Sequence, residues 1–160
     1  MLKGEFMVKV EALLKEALEL ANLGDLDGAE RKLKEALDIE NLPELWNNLG
    51  NVYRRKGFLY QAIEAYQKAL SLDEDFHIAR LNLGVAFLEI KRYSEAIMIL
   101  QPLLGKLDRD ELYLALAIAY EKSGKYADFA AMYDKVKSPD KDKILSEYGV
   151  ESPAGRGQSG

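Results

Sequence analysis

The sequence predicts an all-α fold, a solenoid of stacked antiparallel helix pairs. Residues Trp46 to Asp73 read as two short amphipathic helices joined by a tight turn at Gly57. Trp46, Leu49, Gly50 and Tyr53 recur at three- and four-residue steps on one helix face, and Ala62, Ile63, Tyr66 and Ala69 do so on the next. The same plan then returns in register along the chain. A lone hairpin of this kind cannot bury both faces, so repetition predicts a stack.

The first copy starts near Val10. Leu13, Ala17 and Leu20 stand where Trp46, Gly50 and Tyr53 stand 33 residues later, and Ala29, Leu33 and Ala36 match Ala62, Tyr66 and Ala69. Gly24 is placed to end a helix in the left-handed region, with Asp25 and Asp27 favouring the start of the next. Asn41 and Pro43 mark a stop and restart, since proline in a first turn lacks only an N–H that would have no intrahelical partner. Asp73, Glu74 and Asp75 form the next boundary.

A third copy begins near His77, with Leu83, Gly84, Phe87, Ala96 and Leu100 at the repeated positions. Arg80 replaces a large apolar residue there, so its aliphatic stem should pack while the guanidinium reaches an edge. Pro102 removes a backbone donor and crowds the preceding turn, which predicts a kink or early end completed by Gly105. The fourth copy carries Tyr113, Leu116, Ala117 and Tyr120, then Gly124 as the turn and Tyr133 and Val136 in the second helix. Phe129, in an alanine place, should splay this pair slightly.

Ser138 as N-cap, Pro139 at the first helical position and Gly149 just past the end predict a terminal helix. Its Ile144, Leu145 and Tyr148 should cover the last repeat, with Lys141, Asp142 and Glu147 in water. The expected organisation is a ragged lead-in over 1–9 and repeats over 10–42, 43–76, 77–109 and 110–138. A cap over 139–149 and a disordered Gly/Ser-rich tail over 150–160 complete it.

Composition excludes several classes. At 48% hydrophobic and 31% charged residues, the 160-residue chain can build a continuous core. A net charge of −5 opposes non-specific wrapping of nucleic acid, which needs a basic surface. With no cysteine there is no disulfide framework, zinc-finger spacing or thiol nucleophile. No apolar run suits a signal peptide or a bilayer span of ~20 residues, so a cytoplasmic protein without membrane insertion is expected. Cysteine-free, Glu- and Lys-rich composition is compatible with a thermophilic source.

No catalytic chemistry stands out. His77 is the only histidine and sits at a helix start, where a surface or capping role is expected. Gly124-Lys125 lacks the rest of a phosphate loop. Arg54-Arg55-Lys56 meets the negative end of a helix, with an RNA or acidic-peptide contact as the weaker reading. Glu30, Glu35 and Asp38 alternate with Lys32 and Lys34 as a solvated face. No cofactor, metal ligand or catalytic residue is predicted, and an enzyme is not expected.

The run Trp46-Asn47-Asn48-Leu49-Gly50-Asn51-Val52-Tyr53, followed by Gly57, Ala62 and Ala69, resembles the tetratricopeptide repeat, and the resemblance extends from Val10 to about Lys137. It implies a right-handed superhelix whose first helices line a concave groove and whose second helices form the back. Such proteins mostly hold an extended peptide or helix of a protein partner.

On that resemblance the groove face comprises Glu11, Leu14, Leu18 and Asn22 in the first repeat, and Glu44, Asn47, Asn51, Arg54 and Arg55 in the second. Ile78, Leu81, Val85, Leu88 and Glu89 follow in the third, and Glu111, Leu114, Ile118, Glu121 and Lys122 in the fourth. The second repeat thus offers amides and cations, the third and fourth aliphatics. Leu81, Val85, Leu88, Leu114 and Ile118 are the expected apolar anchors, because the core face of their helices is already supplied by residues such as Leu83 and Phe87. Burial between neighbouring first helices, or beneath a terminus, is the alternative. Asn47, Asn51 and Asn82, with Arg54 and Lys122, are expected to orient a partner backbone or an acidic group.

A subset of the family clamps acidic chaperone tails with two asparagines, lysines and an arginine. Asn51 and Asn82 fill the asparagine places, but Asn47, Glu111 and Ala115 stand where the cations should, so this clamp is not expected. The functional expectation is a non-enzymatic adaptor for an unidentified protein or peptide. A self-associating homo-oligomer is the alternative, and a helical-repeat RNA binder the third reading.

Overall fold

The computed structural model describes residues 2–156, and every regular element among them is helical. The chain divides into two compact units, residues 1–86 and 87–160.

The first unit contains α1 (Leu2–Asn22), α2 (Leu26–Ile39), α3 (Pro43–Arg55), α4 (Leu59–Leu72) and most of α5 (His77–Glu89). Helix α1 packs on α2, α2 on α3, and α3 on α4. Val10, Leu13, Ala17 and Ala21 of α1 meet Ala29, Leu33 and Ala36 of α2 and Leu45, Leu49 and Val52 of α3 in one buried cluster. These are the residues whose 3.6-residue spacing marks the helices as amphipathic.

The crossing of α3 and α4 is tight. Gly50 faces Tyr66 so closely that a Cβ on it would lie 2.4 Å from the tyrosine ring. Trp46 is half-buried beside this pair; its Nε1 donates to Asn41 Oδ1 at 2.6 Å, and the Lys68 ammonium lies 5.0 Å from its ring centre. Arg80 behaves as expected, half-buried with its guanidinium donating to the Glu74 carbonyl at 3.3 Å.

The second unit contains the end of α5, then α6 (Tyr93–Leu100), α7 (Asp110–Lys122), α8 (Tyr126–Lys135), α9 (Lys141–Glu147) and α10 (Pro153–Arg156). Pro102 cuts α6 to 8 residues, against 14 in α2 and α4; a 3₁₀ turn (Gln101–Leu103) follows, and Gly105 completes the break at φ 82°. Helix α7 packs on α6, α8 and α9, and α10 reaches α8.

The turn within each helix pair closes with the same paired backbone bonds. At Gly57, for example, the Gly57 N–H reaches the Arg54 carbonyl at 3.0 Å and the Phe58 N–H reaches that of Tyr53 at 2.8 Å. Gly24, Gly57 and Gly124 take the positive φ that this closure needs. In the third turn Lys91 takes it instead, at φ 63°, with its N–H on the Leu88 carbonyl and the Arg92 N–H on that of Phe87, both at 2.9 Å.

Three terminal expectations change. Residues 2–9 are the exposed first turns of α1 rather than a ragged lead-in. Helix α9 begins at Lys141, with Ser138 Oγ accepting from the Asp140 N–H in the preceding turn rather than capping the helix itself. Leu145 is buried and Ile144 half-buried as expected, but Tyr148 is exposed, and Val150 fills the inner position after the Gly149 turn. Part of the expected disordered tail forms α10; the rest, 157–160, lies outside the described residues.

Candidate partner-binding surface

The amides singled out in the sequence are built into the first unit. Asn82 Nδ2 of α5 donates to Asn47 Oδ1 of α3 at 2.9 Å, and both side chains are buried. Asn51 Oδ1 accepts from the Tyr66 hydroxyl at 2.7 Å, which fixes the ring that Gly50 must accommodate. Buried amides need partners, and here they find them inside the protein. Asn47 and Asn82 thus tie α3 to α5 with side chains withdrawn from the surface, while Asn51 stays half-buried. Arg54 is half-buried.

The expected aliphatic anchors are also covered. Leu81 is 1% exposed, and Val85, Leu88 and Ile118 are likewise buried; Leu114 is half-buried, and Lys122 is exposed. Side chains from 81 to 88 in α5 and from 115 to 120 in α7 are buried without interruption. A helix apolar on all sides is one enclosed on all sides, so an apolar surplus over the core stripe marks enclosure here. That signal was present in the runs 83–88 and 112–120, and it favours the alternative reading.

Among the groove-side aliphatics expected from the sequence, Leu18 of α1 is exposed. Leu14 is half-buried against the first unit's core, and Leu18, one turn on, is 45% exposed. They form the apolar floor of a cleft of about 400 Å³, edged by Glu11, Lys15, Glu19 and Asn22 of α1 and by Glu44 in the first turn of α3. Sequence reasoning placed Leu14 and Leu18 on the groove side but passed over them as anchors.

Two polar clusters brace the units. In the first, the Lys56 ammonium at the end of α3 donates to Asp27 and, at 3.0 Å, to Glu30 of α2. Lys56 holds the Asp27 carboxyl below its usual range; Glu30 is lowered by Lys34 and Lys56, and both lysines are raised in turn. In the second, the Asp110 carboxylate accepts from the N–H groups of Lys137 (3.0 Å) and Ser138 (2.9 Å). Tyr133 donates to Asp142 at 2.6 Å, which with burial pushes its hydroxyl up to about 12. Among the described residues no three His, Cys, Asp or Glu side chains are grouped to hold a metal ion, and no helix is long and apolar enough to cross a membrane.

Alternating helix pairs, a glycine at the α3–α4 crossing and a left-handed turn residue within each pair define an α–α solenoid. Residues 50–91 match the family model described as TPR repeat. That match, with the solved structures below, supports a tetratricopeptide-repeat reading of the solenoid. It is 44% identical over 52 residues to the peroxisomal targeting signal receptor of Candida albicans, a stretch covering 32% of this chain and 9% of that protein. The chain spans less than a tenth of the curated relatives it matches, 9% and 7%.

Among solved structures, pilF of Pseudomonas aeruginosa aligns with a TM-score of 0.79 at 22% identity, over 90% of this chain and 69% of that one. MamA of Desulfovibrio magneticus RS-1 aligns at 0.75 and 22%, over 88% and 79%. Likeness at this identity shows the fold, an α–α superhelical solenoid.

Proposed function

We propose that this chain is a non-enzymatic scaffold that holds a segment of a partner protein against its first helices, with repeat units over 10–42, 43–76, 77–109 and 110–138. The carrying observation is the Leu14–Leu18 cleft: a half-buried and an exposed leucine, one turn apart on a first helix. Partner binding is the general work of the tetratricopeptide-repeat family, and one curated relative is a targeting-signal receptor. Arg54, Leu114 and Lys122 remain candidate contacts because they keep exposed surface. Leu81, Val85, Leu88 and Ile118 serve instead as core.

A photo-crosslinking residue at position 18 should capture a protein from native extract, whereas the same residue at the exposed Glu64 position of α4 should not. Equal capture at both positions, or none at 18, would sink this reading.

A second reading rests on a different surface. Leu2, Phe6, Met7 and Val8 are exposed on the first turns of α1, with Leu2 and Phe6 continuing the stripe of Val10, Leu13 and Ala17. Exposed apolar residues continuous with a core stripe suit a second copy of the chain. Light scattering over a concentration series should then show a dimer that Phe6→Ser weakens; a strict monomer at the highest concentration removes the reading.

A further inference from the structure

The Leu14–Leu18 cleft also carries a charge pattern. Three carboxylates edge its floor, Glu11, Glu19 and Glu44, against one ammonium, Lys15. The ion pairs of α2 and its neighbours involve other groups: Lys32 with Glu16, Lys34 with Glu30, and Lys56 with Asp27 and Glu30. A partner laid on the leucines would strip water from three carboxylates that share the single rim ammonium of Lys15. That desolvation is unfavourable unless the incoming segment supplies positive charge.

We infer that the segment this cleft takes is basic: one apolar side chain seated on Leu14 and Leu18, with lysine or arginine on either side to meet Glu11, Glu19 and Glu44. The inference rests on the scaffold reading above and specifies its partner's chemistry. Like charges at the rim also select against acidic segments. Arginine should be preferred over lysine, since its planar fork engages a carboxylate through two parallel bonds.

A random 12-residue peptide library displayed against the folded chain tests this. The expected winners carry an apolar residue flanked by Lys or Arg. Their affinity should fall about tenfold on Leu18→Ser, which removes the anchor's seat, and by a similar factor on Glu44→Lys. Both positions are exposed, so the fold should persist, as circular dichroism would verify. Glu64→Lys on α4 makes the same change in net charge away from the cleft and should leave affinity unchanged. Winners with acidic or neutral flanks, or basic winners indifferent to both cleft substitutions, would overturn the inference and leave the scaffold reading standing. An unenriched library would also overturn it, and an empty crosslink at position 18 would then remove the scaffold reading as well.

Discussion

Gly50 and Lys91 show opposite solutions to backbone demands. At Gly50 the neighbour is a tyrosine ring held by Asn51, so an added methyl has nowhere to go without moving the α3–α4 crossing. Gly50→Ala should cost about 1–3 kcal/mol, read as a lower urea midpoint. The first repeat has Ala17 at this position and the smaller Leu33 opposite it, both buried, so the pair is matched in volume. Lys91 holds a left-handed φ that costs an L-residue about 1–2 kcal/mol, and its three counterparts are glycine. Lys91→Gly should therefore stabilise the chain by about 0.5–1 kcal/mol after glycine's greater unfolded-state entropy is subtracted. An unchanged or lowered urea midpoint would contradict this.

Between elements, pH separates the two braces. Lys56 lowers Asp27 and Glu30 relative to ordinary values of 3.8 and 4.5, so the unfolded chain binds protons first as pH falls. Their contribution is present above those values and is lost below about pH 4 as the folded carboxylates protonate. Replacing Lys56 with methionine should flatten that acid limb of stability. Tyr133 works in the other direction: its folded hydroxyl is raised from 10.0 to about 12, so its contribution is complete below pH 10 and disappears as pH rises towards 12. Tyr133→Phe should remove this alkaline loss from the urea midpoints, which an unaltered alkaline slope would refute.

Across the whole molecule, burial predicts where exchange with solvent is slowest. The amides of 81–88 and 115–120 lie in helices enclosed on every side, whereas residues 2–9 of α1 are exposed. Hydrogen exchange should be slow in the first two stretches and fast in the third, because local opening follows the apolar contacts that must break. Comparable protection of residues 2–9 would instead mean that a partner or second copy covers them.

The helix pairs were legible in the sequence because their information is local. Apolar spacing, the turn glycines and Pro102 each act within a turn or two of themselves, and a small residue opposite a large one marks each crossing. Lys91 escaped notice because only turn geometry demands its positive φ, and no side-chain pattern advertises it. The surface was less legible. Periodicity names the face a residue lies on, but whether that face is open depends on neighbours far along the chain. Tertiary packing therefore decided that Asn47 and Asn82 bond to each other. It also decided that Leu81, Val85, Leu88 and Ile118 are core, and that Leu18 of α1 stays exposed. By itself, the sequence determined an α–α solenoid; the packed structure decided which of its apolar residues remain exposed, because that depends on neighbours distant in the chain.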